Sequence, residues 1–539
     1  MNSQTTSIPS SRSFANTLET YLGPWTKAEV RHLLRRTTFG AVGRDVDIFA
    51  GQTMNQTLDQ VLIFDPEPSP PLNHYNSDEL HDPKVAFGQT WIHDLHSENP
   101  DITSARVVSM KSWWVERMLL QSSTLHEKLT FFWHNHLATQ TWEVFWPNLS
   151  YRHYQLLRSN AYGNFRQLVK LVTIDPLMLL YLNGAANNRF APDENYSREL
   201  QELFTIGKGP DAQFTESDVQ ESARVLTGHT IDWETGSYYF NPDWHDDGDK
   251  HFSDFYHQTI IQGKTGEEGR NELDALLDMI FDNNEVALFV VRKLYRFFVY
   301  HEILPEVETT VIAPLATIFR DSNYEIMPVL RALFSSAHFY DSSLRGAMIK
   351  SPLDFMIGFW RTFGVKMPSQ ASEQNRDEIR RSMMWSMTNL GLQVLDPPNV
   401  AGWPAYHQIP QYDKHWITTN TITNRAVVTD SFVYWGFWSQ NILTNVNLLD
   451  HIKTFNTQAE PGLLVDDLVE LHLGLPVSEQ VKNRMVAILL TGQSNPSYWT
   501  NAWFDYLDDS SNEMKRSIVE TRARVLFQYL LQLSEYHLT

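Results

Sequence analysis

Five short stretches of this sequence concentrate side chains that bind metals or move protons. His134 and His136 flank Asn135, directly after the aromatic run Phe131-Phe132-Trp133. Imidazoles two positions apart can reach one ion from an extended backbone or a helix end; inside a regular helix they diverge by about 200°. The alternative is a pair of histidines at a helix C-terminus, where the dipole favours imidazolium. Asn195, Glu199 and Glu202 fall at i, i+4 and i+7, which puts an amide and two carboxylates on one helical face. Inward acids of this kind build carboxylate metal centres in helical bundles. Outward, they form a solvated face, and Arg198 would pair with Glu202 at i+4.

The third stretch runs from Thr215 through Asp218, Glu221 and Arg224 to Gly228 and His229. Thr215 with Asp218 has the form of a helix start, and the three-residue steps also fit an ion-pair ladder. Gly228 is a natural stop, with His229 just beyond it. The fourth is the loop Trp244-His245-Asp246-Asp247-Gly248-Asp249-Lys250-His251, dense in oxygen and imidazole donors but without the closing Glu of a calcium loop. It is either a metal or catalytic loop or one built of Asx turns. The fifth, Asp396 to Pro404, holds Pro397, Pro398, Gly402 and Trp403 and reads as a rigid buttress to a pocket. No phosphate-binding Gly loop, Gly-x-Ser-x-Gly elbow or His-Glu-x-x-His occurs.

The elements that must position these groups are helical. A helix is expected from near Pro24 to Gly40, with Pro in the first turn. The prolines at 66, 68, 70 and 71 make 64–84 a loop. Apolar residues at three- and four-residue steps predict helices over 105–137, broken at Gln121–Thr124, with Thr124 as N-cap and Glu127 completing a capping box. Further helices are expected at 150–175, 194–207, 215–228, 269–281, 284–301, 307–320, 325–336, 350–363, 374–390, 415–440, 463–473, 478–490 and 511–534. Strand is expected mainly within 229–268. The fold class is therefore all-α, or predominantly α, with a small β or irregular insertion. The expected organisation is a flexible tail over 1–17, a main helical domain over 18–430 carrying the site, and a helical C-terminal region over 431–539.

Composition narrows the chemistry. Of 539 residues, 43 are Lys or Arg and 64 Asp or Glu, a net charge of −21, which disfavours nucleic acid and anionic membrane surfaces. There is no cysteine, so disulfides, thiolate catalysis, Fe–S clusters and Cys-ligated zinc are excluded. No stretch approaches a membrane span, and Met1 to Thr17 lacks a basic start followed by an apolar run, so the expected location is cytoplasmic.

Several strings occur in an order that resembles the DUF1800 family, a bacterial family of unknown function. They are His32-Leu33-Leu34-Arg35-Arg36-Thr37-Thr38-Phe39-Gly40, Phe132-Trp133-His134-Asn135-His136, Gly163-Asn164-Phe165, Asn195-Tyr196-Ser197-Arg198-Glu199 with Glu202-Leu203-Phe204-Thr205, and Ala223-Arg224-Val225-Leu226-Thr227-Gly228. His245-Asp246 with Gly248 and Lys250, Arg292 to Phe298, Lys350-Ser351-Pro352, Pro397 to Pro404 and Leu533-Ser534-Glu535-Tyr536 follow. The resemblance implies no particular chemistry. Many members of that family look exported, and their pattern has Trp where this chain has His229.

Three functions fit these residues. The first is an oxygen-using, metal-dependent oxidoreductase acting on a small molecule or peptide, with metal ligands drawn from His134, His136, Glu199, Glu202, Asp246 and His229. The metal is divalent, iron first, with zinc or manganese as alternatives. The second is a zinc or manganese hydrolase with Glu221 or His245 as general base and Arg198 or Arg224 stabilising the developing anion. The third is a non-catalytic binding or assembly protein, its acids and histidines forming buried ion pairs. The oligomeric state is left open.

Overall fold

The computed structural model describes residues 17–94 and 97–539. The expected tail therefore lies outside the described residues except for Thr17. The chain is predominantly α-helical, with three two-stranded antiparallel sheets among the described residues. One cluster of buried apolar side chains runs from Val30 to Tyr536. Among the described residues no helix is long and apolar enough to cross a membrane.

Local chemistry explains the elements around the candidate residues. The first helix, Lys27–Thr37, starts at Thr26 in a full capping box with Glu29. Pro100–Leu120 has Asn99 as cap and Pro in its first turn, where a missing N–H costs nothing. All eleven residues of His126–His136 are buried, as expected of a helix surrounded by others. Pro147–Ser159 packs beside it. Asn195–Glu199 continues as a π-helix over Leu200–Thr205, a geometry that shifts side chains off the α-helical phase.

Some boundaries differ from the expectation. Thr124 is not an N-cap: that position is Leu125, which makes no side-chain cap. The Thr124 hydroxyl donates to Asp65 instead. Glu127 is taken by Trp114 Nε1 (3.0 Å), Tyr154 Oη and Arg158 Nε (2.9 Å), since a buried guanidinium outbids a backbone N–H for a carboxylate. The stretch 150–175 is split into Pro147–Ser159 and Phe165–Thr173, the second capped by Asn164. The helix expected to reach 440 ends at Gly436 (φ 66°) and gives way to the hairpin Phe437–Ser439 and Ile442–Thr444. Strand content is otherwise where it was placed: His229–Asp232 pairs with Ser237–Phe240, and Lys250–His251 with Ile260–Ile261.

Candidate functional site

His134 and His136 lie in the last turn of their helix and, as regular helical geometry demands, occupy different surroundings. His136 sits among Phe132, Trp133, Phe165, Phe204 and Phe289, and its Nε2 donates to the Phe204 carbonyl at 3.0 Å. Burial, with Lys293 nearby, holds it neutral. His134 lies between Trp114 (ring centroids 5.6 Å) and Trp403 (6.0 Å), and its Nδ1 has no hydrogen-bond partner. Burial pushes its pKa down to about 3, helped by His153 and Lys111.

The imidazole that accompanies His134 is therefore His153, from Pro147–Ser159, at 6.4 Å between ring centroids. Its Nδ1 bonds Asp175 Oδ2 at 2.9 Å, which places the proton on Nδ1 and leaves a lone pair on Nε2. That Nε2 is buried without a partner. Asp175 also accepts from Met178 N, capping Pro176–Tyr181, so helix start and imidazole orientation share one carboxylate. The sequence reading missed this pair. A lone histidine in a tyrosine-rich helix and an Asp-Pro helix start look structural, and only tertiary packing joins them.

The Asp396–Pro404 loop closes over this end of the helix. Trp403 is 2% exposed and stacks on Phe131 at 5.1 Å, worth about 0.5–1.5 kcal/mol beyond burial. Its backbone N–H donates to Asn135 Oδ1 at 2.9 Å. Gly402 has φ +89°, and a Cβ there would meet the Asn135 carbonyl at 2.4 Å, so only glycine lets the two chains approach. The Asp396 carboxylate pairs with the buried Lys111 ammonium and accepts from Thr141 Oγ1 and Trp142 N, both 3.0 Å. Gln140 donates to the Pro397 carbonyl and accepts from Tyr181 Oη. The Tyr181 hydroxyl, driven up by burial, also feels Glu143, Asp396 and Glu199.

The remaining candidates are dispersed. Glu199 has a buried Oε2 without a partner, and burial raises its pKa against the pull of Lys208. Glu202 is held by Lys208 and, at 3.8 Å, by Arg198. Arg198 bridges Glu194 and Glu216, an ion-pair cluster at the surface. Arg224 pairs with Glu221 at 2.7 Å and grips both oxygens of Asp246 at 2.9 Å. Asp246 stays ionised despite burial because of that grip. His245 is satisfied at both nitrogens, by the Thr227 carbonyl (2.9 Å) and Glu272 Oε1 (3.0 Å), and Glu272 also takes Lys250. His229 bonds Tyr238 Oη through Nδ1, leaves Nε2 unpartnered, and lines a small enclosed cavity with Tyr196, Ser197 and Asn187. Among the described residues no group of three or more His, Asp or Glu side chains is gathered closely enough to hold an ion. The geometry thus brings together His134 and His153 and ties Glu221, Arg224, Asp246 and His245 into one ion-paired network.

A family model described as "Protein of unknown function (DUF1800)" matches residues 32–538, nearly the whole chain. No curated protein and no solved structure matches.

Proposed function

The chain belongs to the DUF1800 family, and we propose that it is a metal-dependent oxidoreductase whose ion is taken by His134 and His153. The observation that carries this is the pair of partnerless buried ring nitrogens, His134 Nδ1 and His153 Nε2. Leaving such acceptors unpaired is costly, and a cation repays both. Asp175 on the far nitrogen of His153 is the carboxylate that fixes tautomer and orientation in many imidazole–metal pairs. Two imidazoles on one ion, with metal–nitrogen bonds of about 2.0–2.1 Å, have ring centroids about 5 Å apart at a tetrahedral angle and about 6.4 Å apart only when they lie on opposite sides of the ion, so the 6.4 Å separation here fits a trans pair. Iron is the metal we assign, because imidazole donors with open positions suit it.

Two features favour oxidation over hydrolysis. His134 lies against the indoles of Trp114 and Trp403, with Phe131 stacked on the second, an apolar wall that limits the access of water to reactive species. The bases a hydrolase would use are occupied: Glu221 by Arg224 and the His251 N–H, His245 by Thr227 and Glu272. The substrate we propose is a small molecule or peptide. Elemental analysis of protein purified without chelator or metal-affinity tag tests the proposal. Iron near one per chain, with optical bands lost in His153→Ala, is the expected result. Colourless zinc or manganese would move the assignment to hydrolysis, and no metal under any loading condition would end it.

A further inference from the structure

Three stretches that the metal centre does not use meet elsewhere in the molecule. Arg35 of the first helix, Lys350 just before Pro352–Thr362, and Tyr536 near the far end line one small cavity with His472. His472 belongs to the π-helix Val469–Leu473 and is 2% exposed. Arg35 donates to the carbonyls of Leu471, His472 and Leu473, which uses three of its five donors. The Lys350 ammonium donates to the Tyr536 carbonyl at 2.6 Å and lies 4.0 Å from that ring's centre. Arg425, fully buried behind Lys350, donates to the Lys350 carbonyl at 2.7 Å, while its Nε and Nη1 have no partner. Asp354 is on the cavity wall, but it is already bonded to Lys128 at 2.8 Å and to Ser351. Arg35 and Lys350, partly buried, and Arg425, fully buried, thus outnumber the carboxylate side chain that faces them, an arrangement that desolvation makes expensive.

His472 supplies the second observation. Its Nε2 lies 2.9 Å from His451 Nε2, so one of the two must donate. Its Nδ1 is buried and unpartnered. If His451 donates, His472 carries its proton on Nδ1 and needs an acceptor there. We propose that this cavity binds a small oxyanion of the phosphate or sulfate class, held by Arg35, Lys350 and the Nδ1–H of His472. The anion balances the cations, accepts the orphaned N–H, and selects one tautomer for the His451–His472 pair. It also ties the first helix to the π-helix through a shared ligand.

Thermal melting of the full chain with inorganic phosphate, against sodium chloride at equal ionic strength, tests this. Tm should rise with the logarithm of phosphate concentration. Lys350→Met should weaken the apparent affinity at least tenfold. Because that variant can lose its fold, the wild-type protein provides a second measurement: the ¹⁵N shift of His472 Nδ1 should move to the protonated, hydrogen-bonded position on adding phosphate. A flat Tm together with an unmoved Nδ1 shift overturns the proposal and leaves the Thr539 carboxylate, also at the cavity, as the neutralising group. An equal rise in Lys350→Met overturns it as well, by placing the anion elsewhere.

Discussion

Glu272 offers the sharpest test of which charged strings are structural. It is fully buried and accepts from Lys250 Nζ at 2.6 Å, His245 Nε2 at 3.0 Å and the Lys264 backbone N–H at 2.7 Å. Lys250 is fully buried as well, and its other bond goes to the Asp246 carbonyl. Glu272→Ala therefore strands an ammonium in the interior, and breaking a buried pair from one side costs about 3–5 kcal/mol. Lys250→Met strands the carboxylate and should cost a similar amount. Removing both charges together, in Glu272→Ala with Lys250→Met, strands neither charge and leaves only the His245 Nε2 and the Lys264 N–H without their acceptor, so it should cost about 3–5 kcal/mol, well below the sum of the two single variants. Urea unfolding followed by tryptophan fluorescence reads all four corners of the cycle, with metal content measured on each protein. Single variants that lose less than about 1 kcal/mol, or costs that simply add, would refute the ion-pair argument. Metal lost at unchanged stability would return His245 to the active centre.

Asp175→Asn should lower metal retention by about 10–100-fold with little change in helicity, read by competition with a chelator, because it removes the negative charge behind His153 Nδ1 while an amide oxygen can still cap Met178 N. Gly402→Ala should destabilise by about 2–4 kcal/mol, from a left-handed backbone and a Cβ against the Asn135 carbonyl, and a value under about 0.5 kcal/mol would contradict the close approach. Acid should destabilise the protein through its neutral buried histidines. In the metal-free protein His134 has a folded pKa near 3, below the ordinary 6.5, so the unfolded chain binds the extra proton and stability falls as pH drops from about 6.5 towards 3. At pH 5 this one group should account for about 2 kcal/mol relative to neutral pH, and His134→Phe should show a correspondingly shallower slope.

Residue spacing carried the helical architecture well where capping chemistry and periodicity agreed. Thr215 and Asp218 form the capping box expected of them, and Gly228 ends that segment with φ +87°. The buttress was legible in Pro397 to Pro404, since Gly-Trp-Pro has few conformations to choose from. The partner of His134 was not legible. Within His-Asn-His the sequence offers His136, but a regular helix turns the two rings apart, and His153 arrives from another helix. The acids at Glu199 and Glu202 share a face in an α-helix, yet the chain there passes into a π turn, and Glu202 goes to Lys208. The density of Asp246 and its neighbours signalled chemistry, whereas Arg224, Lys250 and Glu272 neutralise them pairwise. Charge type is visible in sequence; the counter-ion that silences it is a tertiary fact.

The contacts that seat the His134 end of its helix span about half of the chain's length. Asn135 meets Trp403 across 268 positions, and Lys111 meets Asp396 across 285. During synthesis the two histidines emerge early, but the lid that excludes water from them does not exist until residue 404 has been made. A nascent or truncated chain would hold exposed imidazoles with no enclosure, able to pick up adventitious ions but not to shield them. The proposed centre would thereby be enclosed only in the finished molecule, so a chain shortened before residue 404 should bind added metal without retaining it.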